Sequence, residues 1–352
     1  QKWLKAQESK ARTGIFPDNP EVSYDYLFGN AEAIGDQQEF EITLSLQVPG
    51  YYSAKSEVQH LQFEQKKALV QQERLVITHS AREAYFTLVW LSKQEKLLEA
   101  RKNESEKLVE LMEQGLDRGE ISRPALNKAR IYHLNMMSAW QKTVTGTEVQ
   151  KEKIKQLTGG MQVDDLLLEY PSDWNLQPLD SLLEQLSGKN PGLILAQFSI
   201  EEYKKQVKFE KMNQLPTFEA GYRAEKILNQ KLQGFHVGVE IPLWKDKNKV
   251  KQAQMLSDWS QANLSQKESE VRAEVISRYS EIRNLQNTYL KMMTVVDNEQ
   301  AFENSLQLLQ SGQISFPEYL VEVQFIRDAV STYLETEKNY YIALSGLEKF
   351  FL

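Results

Sequence analysis

The chain has no cysteine among its 352 residues. That absence excludes disulfides, thiolate metal sites and a cysteine nucleophile. It also suits an oxidising bacterial envelope, where stray thiols are a hazard. Apolar runs are short throughout, and none reaches the length of about 18 residues that a transmembrane helix needs. A membrane β-barrel escapes this test, because its short alternating strands barely raise the mean hydropathy, which is −0.53 here. Basic charge is not in excess either. A net charge of −7 and a pI of about 5.4, without a basic stretch, argue against a nucleic-acid partner. No signal peptide is visible at Gln1-Lys2-Trp3-Leu4, so an envelope location implies a mature or trimmed chain. Glycine-rich phosphate loops, serine elbows and metalloprotease motifs are missing. The four histidines, His60, His79, His133 and His236, have no ligand spacing. The expectation is therefore no catalytic residue, no cofactor and no metal.

Glycine and proline are absent from two long stretches, about Ala54 to Gln114 and about Asp246 to Ser311. Each predicts a helix of roughly 90–100 Å at 1.5 Å per residue. Apolar residues recur along them at coiled-coil spacing. One stripe runs Ala81, Ala84, Leu88, Leu91 and Leu98, and another Val271, Val275, Ile282, Leu285, Tyr289, Met292 and Val296. A third follows in Leu320, Val323, Val330, Leu334, Tyr341 and Leu344. Glu95, Arg278 and Arg327 interrupt these seams, as suits a wall wetted on one side. The pairs Met136-Met137 and Met292-Met293 read as helix core filling rather than soft-metal ligands.

The chain is internally duplicated. Gly119-Glu120-Ile121-Ser122-Arg123-Pro124 returns as Gly312-Gln313-Ile314-Ser315-Phe316-Pro317, an offset of 193 positions. The same offset carries Val48-Pro49 onto Ile241-Pro242 and Tyr51 onto Trp244. Residues 1–160 form the first repeat: a truncated first helix, a β-hairpin over about 21–48, a long helix over about 54–116 and a return helix over about 122–158. Residues 161–189 are a connector. Residues 190–352 form the second repeat: a helix over about 190–214, a hairpin over about 217–243, a long helix over about 246–311 and a return helix over about 315–350.

Strict period-two alternation marks the strands. Phe40, Ile42, Leu44, Leu46 and Val48 alternate with Glu41, Thr43, Ser45 and Gln47. Phe235, Val237, Val239 and Ile241 alternate with His236, Gly238 and Glu240. Val22, Tyr24, Tyr26 and Phe28, and Phe218, Ala220, Tyr222 and Ala224, supply the partners. A small soluble sheet packed on helices would explain one such face. Little else in the chain is patterned to cover these faces, and about ten residues per strand is enough to cross a bilayer when tilted. Phe40, Ile42, Leu44, Leu46, Phe235, Val237, Val239 and Ile241 are then the lipid-facing residues. Between the helices, Gly312 is a left-handed stop, Ser315 a cap and Glu318 its capping-box partner. In the first repeat Gly119 and Ser122 repeat the logic, with Ala125 in place of the acid. Four strands cannot close a barrel, and open edges do not sit in lipid, so the strands require oligomerisation. Cyclic symmetry leaves a dimer with eight strands or a trimer with twelve.

The order of hairpin, long helix, Gly-x-x-Ser turn and return helix, occurring twice about a connector, resembles the TolC-like outer-membrane efflux proteins. Asn190-Pro191-x-Leu193, Leu215-Pro216 and Ile241-Pro242-Leu243-Trp244 look like that family's landmarks, as do Gly119-x-Ile121-Ser122 and Gly312-x-Ile314-Ser315. The resemblance covers nearly the whole chain and implies that the start of repeat one is missing. It implies a mainly α protein with β-hairpins: a duplicated protomer of a long α-helical coiled-coil barrel, whose four strands enter a trimeric 12-stranded membrane β-barrel. It implies a homotrimer in the outer membrane of a Gram-negative bacterium, with a long periplasmic portion. This would be a passive exit duct of a tripartite efflux or type I secretion system, contacting outer-membrane lipid, a periplasmic adaptor protein and an inner-membrane pump. By position, Gly119, Glu120, Ile121, Ser122, Gly312, Gln313, Ile314 and Ser315 are the adaptor-docking turns. Glu318 and Glu322 are the candidate periplasmic gate, and the basic partner that some members carry beside the second turn is replaced by Ile314. Helix capping alone would equally explain the glycines, the serines and Glu318. A soluble periplasmic coiled-coil adaptor or scaffold is the alternative reading of the whole chain.

Overall fold

The computed structural model describes residues 2–29, 35–160, 162, 167–172, 174–228, 230–244, 246–294 and 298–351. The elements run α1 (Lys2–Ala11), β1 (Glu21–Leu27), β2 (Gln37–Leu46), α2 (Tyr51–Asp117), α3 (Arg123–Thr158), α4 (Leu179–Lys189) and α5 (Pro191–Asn213). They continue with β3 (Thr217–Ile227), β4 (Gln230–Glu240), α6 (Lys249–Met293), α7 (Asn298–Gln310) and α8 (Phe316–Glu348). Contacts divide the chain into two compact units, Gln1–Gln72 with Ser187–Val271, and Glu73–Leu186 with Arg272–Leu352. The division cuts across both repeats. Each repeat gives its β-hairpin to the first unit and its helical turn to the second.

In the first unit the two hairpins join into one antiparallel sheet of order β1-β2-β3-β4. The seam between repeats is β2 against β3, with Phe40 opposite Ala224, Ile42 opposite Tyr222, Leu44 opposite Ala220 and Leu46 opposite Phe218. β1 and β4 are the outer strands. α5 leads into β3, and its start is set by its own sequence. Asn190 caps it by accepting the Leu193 N–H at 3.0 Å, and Pro191 fills a first-turn position where its missing N–H costs nothing.

The second unit holds the helical core. Leu108 and Met112 of α2, Leu126 and Ala129 of α3, and Phe316, Tyr319, Val323, Val330 and Leu334 of α8 form one buried cluster. Burying a large apolar side chain contributes about 1.5–3 kcal/mol, so this cluster holds α2, α3 and α8 together. Ala84, Leu88 and Ile154 make a second cluster. The connector is fastened to α2 by specific bonds: Tyr85 Oη donates to the Leu167 carbonyl at 2.7 Å, and Tyr170 Oη to the Phe86 carbonyl at 3.2 Å. The Tyr170 and Tyr341 rings stack with centroids 4.4 Å apart. Beside them the buried Glu337 accepts from Lys93 Nζ at 2.7 and 2.9 Å.

One expectation is corrected. The helix anticipated over about 246–311 is not a single element: α6 begins at Lys249 and ends at Met293, Thr294 is in a turn, and α7 begins at Asn298. Thr294 turns its hydroxyl onto the Lys291 carbonyl at 2.8 Å, a local bond that competes with the helix ladder. Val296, assigned to a coiled-coil stripe, lies outside the described residues. Among those described, no helix is long and apolar enough to cross a membrane.

Candidate functional site

The sheet sorts most of its side chains by face. On one face stand Val22 and Tyr24 of β1, Phe40, Ile42, Leu44 and Leu46 of β2, Phe218, Ala220 and Tyr222 of β3, and Phe235, Val237 and Val239 of β4, aligned by the cross-strand register. Most of these side chains are open to solvent in the single chain: Phe235 is 88% exposed, Val237 79% and Val22 61%, while Leu44 and Tyr222 are half-buried. Soluble monomers rarely show so large a continuous apolar face. Ile241 lies just past the end of β4 and is also exposed. β2, β3 and β4 have 10, 11 and 11 residues, the length of a tilted membrane strand.

The opposite face is mainly polar, and its charges are mostly acidic. Glu21 and Asp25 of β1, Glu39 and Glu41 of β2, Glu219 and Glu225 of β3 and Glu240 of β4 share its register parity. Several contacts on it tie the repeats across the β2–β3 seam. Glu39 pairs with Arg223, Gln37 Nε2 donates to Glu225 Oε1 at 2.6 Å, and Thr217 Oγ1 donates to Gln47 Oε1 at 3.2 Å.

The two helical turns are built alike. Gly119 and Gly312 are left-handed, with φ of 74° and 70°. In the first, the Gly119 N–H donates to Leu116 O at 2.9 Å and the Glu120 N–H to Gly115 O at 2.8 Å. In the second, the Gly312 N–H donates to Leu309 O at 3.1 Å and the Gln313 N–H to Leu308 O at 2.9 Å. This is the paired-bond stop that a glycine at the helix end permits. Ile121 and Ile314 fold back on the buried cluster of the second unit, while Ser122, Glu120, Gln313 and Ser315 are exposed. Glu120 is paired with Arg118 at 3.0 Å. Ser122 caps α3 by accepting the Ala125 N–H at 3.4 Å.

Ser315 and Glu318 form a complete capping box. Glu318 Oε2 accepts the Ser315 N–H at 2.7 Å, and Ser315 Oγ accepts the Glu318 N–H at 3.4 Å. The bonds from Ser315, backbone first and side chain second, hold the Glu318 carboxyl below its usual range. Within one chain the cap dominates its electrostatics, with the opposite sign to the like-charge effect expected of clustered copies. Glu322, one turn on, is exposed. The methionine pairs need correction. Met136 is buried, but Met137 and Met293 are exposed, because adjacent helical residues point about 100° apart and cannot both enter one seam.

No protein-family model and no curated protein sequence matches the chain. Solved structures do. CusC, described for its transmembrane channel formation, is 15% identical, with 98% of this chain and 86% of that one aligned at a TM-score of 0.81. The outer membrane protein VceC of Vibrio cholerae is 15% identical over 99% of this chain and 90% of that one, with a TM-score of 0.77. The CmeC outer membrane channel of Campylobacter jejuni is 13% identical over 99% and 80%, with a TM-score of 0.75. The chain has the fold of a TolC-like outer-membrane channel protomer.

Within that fold the expected site residues separate into two groups. The eight strand residues lie in or beside the sheet of the first unit, and the turn residues with Glu318 and Glu322 lie in the second. The β1 and β3 side chains that complete the apolar face, such as Val22, Tyr24, Phe218 and Tyr222, were not among the lipid-facing assignments. Their alternation was the available signal; the cross-strand register shows that they share the face.

Proposed function

We propose that this chain is one protomer of a homotrimeric exit duct in the outer membrane of a Gram-negative bacterium, a passive conduit in a tripartite efflux or type I secretion system. Residues 1–160 and 190–352 are its two repeats, joined by 161–189. The observation that carries the reading is the sheet, whose apolar face is largely bare and whose outer strands β1 and β4 each have, among the described residues, one side without a partner strand. Lipid would cover the face. Neighbouring copies would pair the edges, giving a closed wall with its polar face on an aqueous lumen. The soluble adaptor alternative leaves that face unexplained.

In this reading the turns Gly119–Ser122 and Gly312–Ser315 meet a periplasmic adaptor linked to an inner-membrane pump, and Glu318 and Glu322 ring the closed end. The test of the duct is the oligomeric mass in detergent, where a trimer is expected. A protein that stays monomeric and soluble without detergent would overturn it. For the gate, Glu318→Ala should raise single-channel conductance in planar bilayers, and an unchanged conductance removes Glu318 from the gate.

A further inference from the structure

We infer that His236 makes the charge selectivity of the duct depend on pH, acting from the polar face of the sheet. The inference rests on the proposed duct for its lumen. Along β4, the neighbours of His236 on that face are Gly234 and Gly238, and its partner on β3 is Gly221. None of the three carries a side chain. The imidazole occupies the cleared space: a Cβ at Gly221 would fall 2.2 Å from His236 Cε1 and 2.8 Å from Nε2. The ring therefore lies across β3 and reaches the next strand. Nε2 sits 3.2 Å from Glu219 Oε1 on β3 and 3.8 Å from Glu41 Oε1 on β2. Glycine weakens a strand interior and often marks a close approach, and here the approach is that of the imidazole.

The charges that surround His236 are mostly negative. β3 contributes Glu219, Glu225 and Arg223; β2 contributes Glu41 and Glu39, the latter paired with Arg223. β1 contributes Glu21, in the same cross-strand row through Thr43, and Asp25; β4 itself adds Glu240. Arg223 is thus the one permanent cation with this register parity within the described strands. An imidazole ordinarily changes charge between about pH 5 and pH 8. Protonation between the two carboxylates halves the net negative charge of the His236, Glu219 and Glu41 group, and in a closed assembly each copy contributes one such group to the lumen. A passage lined by one sign of charge enriches counter-ions. The duct should prefer cations at high pH and lose part of that preference as the pH falls.

The experiment is the reversal potential of the purified protein in planar bilayers under a KCl gradient, at about pH 8 and about pH 5. In the wild type the potential should move toward zero as the pH falls. H236Q should move less than the wild type between the two, and H236K, with its fixed charge, should lie nearer the low-pH value of the wild type at both. The difference between wild type and H236Q isolates His236 from titrating carboxylates elsewhere in the passage. A wild-type potential indifferent to pH, or an H236Q response equal to that of the wild type, overturns the inference and leaves the duct standing. A wild type that forms no conducting channel overturns the duct itself, and the inference falls with it.

Discussion

The backbone amides of Ile121 and Ile314 make the same bond in two places: each donates to the carbonyl six residues back, to Gly115 O at 3.2 Å and to Leu308 O at 3.3 Å. The offset of 193 that aligns the two sequences thus also aligns the hydrogen bonds of the two turns. The glycine between acceptor and donor bears the backbone cost. Both Gly119 and Gly312 have open space where a Cβ would go, so only the left-handed conformation resists substitution. Gly119→Ala and Gly312→Ala should each destabilise the protein by about 1 kcal/mol. Urea unfolding of each variant measures this, and a neutral result would show that the turn relaxes to another conformation.

The capping box at Ser315 should respond to acid. The Glu318 carboxyl is held below its usual value in the folded chain, so its contribution is present above the ordinary glutamate range. It is lost as the pH falls through the depressed folded value. Hydrogen exchange of the Ser315 amide, which donates to this carboxylate, reads it locally. Protection should be high near neutral pH, weaken in acid and be absent in Glu318→Ala. Equal protection in that variant would mean that the cap is not what shields the amide.

Lys93 and Glu337 form a pair in which the carboxylate is buried and the ammonium is partly open to solvent. Lys93→Met would leave the buried Glu337 without its cation, beside the Tyr289 hydroxyl that donates to it at 3.5 Å. Removing one partner of a buried pair costs on the order of 3–5 kcal/mol, and the solvent already reaching Lys93 places the expected loss at the low end. The unfolding midpoint of Lys93→Met against Lys93→Met/Glu337→Leu checks it, with the double variant recovering part of the loss.

Phe235, on the bare face of the sheet, should tolerate leucine and reject charge. Arginine on a lipid face costs about 2–4 kcal/mol at the bilayer midplane. Phe235→Arg should lower the yield of assembled, membrane-inserted protein, as read by flotation with liposomes, while Glu41→Arg on the opposite face should insert. Equal insertion of Phe235→Arg would place that face away from lipid.

Much of this was local enough to be written in the sequence. Period-two alternation placed Phe40 and Phe235 on apolar faces because side chains alternate along any strand. Gly312, Ser315 and Glu318 specified a helix stop and a cap because such bonds span only a few residues. The duplication was legible for the same reason, since each repeat carries its own punctuation. Tertiary structure decided what depends on contacts distant in sequence. It set β2 against β3, and so brought Glu41 within reach of His236, across 195 positions of chain, over the gap left by Gly221. It gathered both hairpins into one unit and both turns into the other. It also ended α6 at Met293, where the Thr294 hydroxyl bonds back to the Lys291 carbonyl. Periodicity fixes which way a residue faces along its own element, whereas the neighbour it meets there is fixed only when the elements pair.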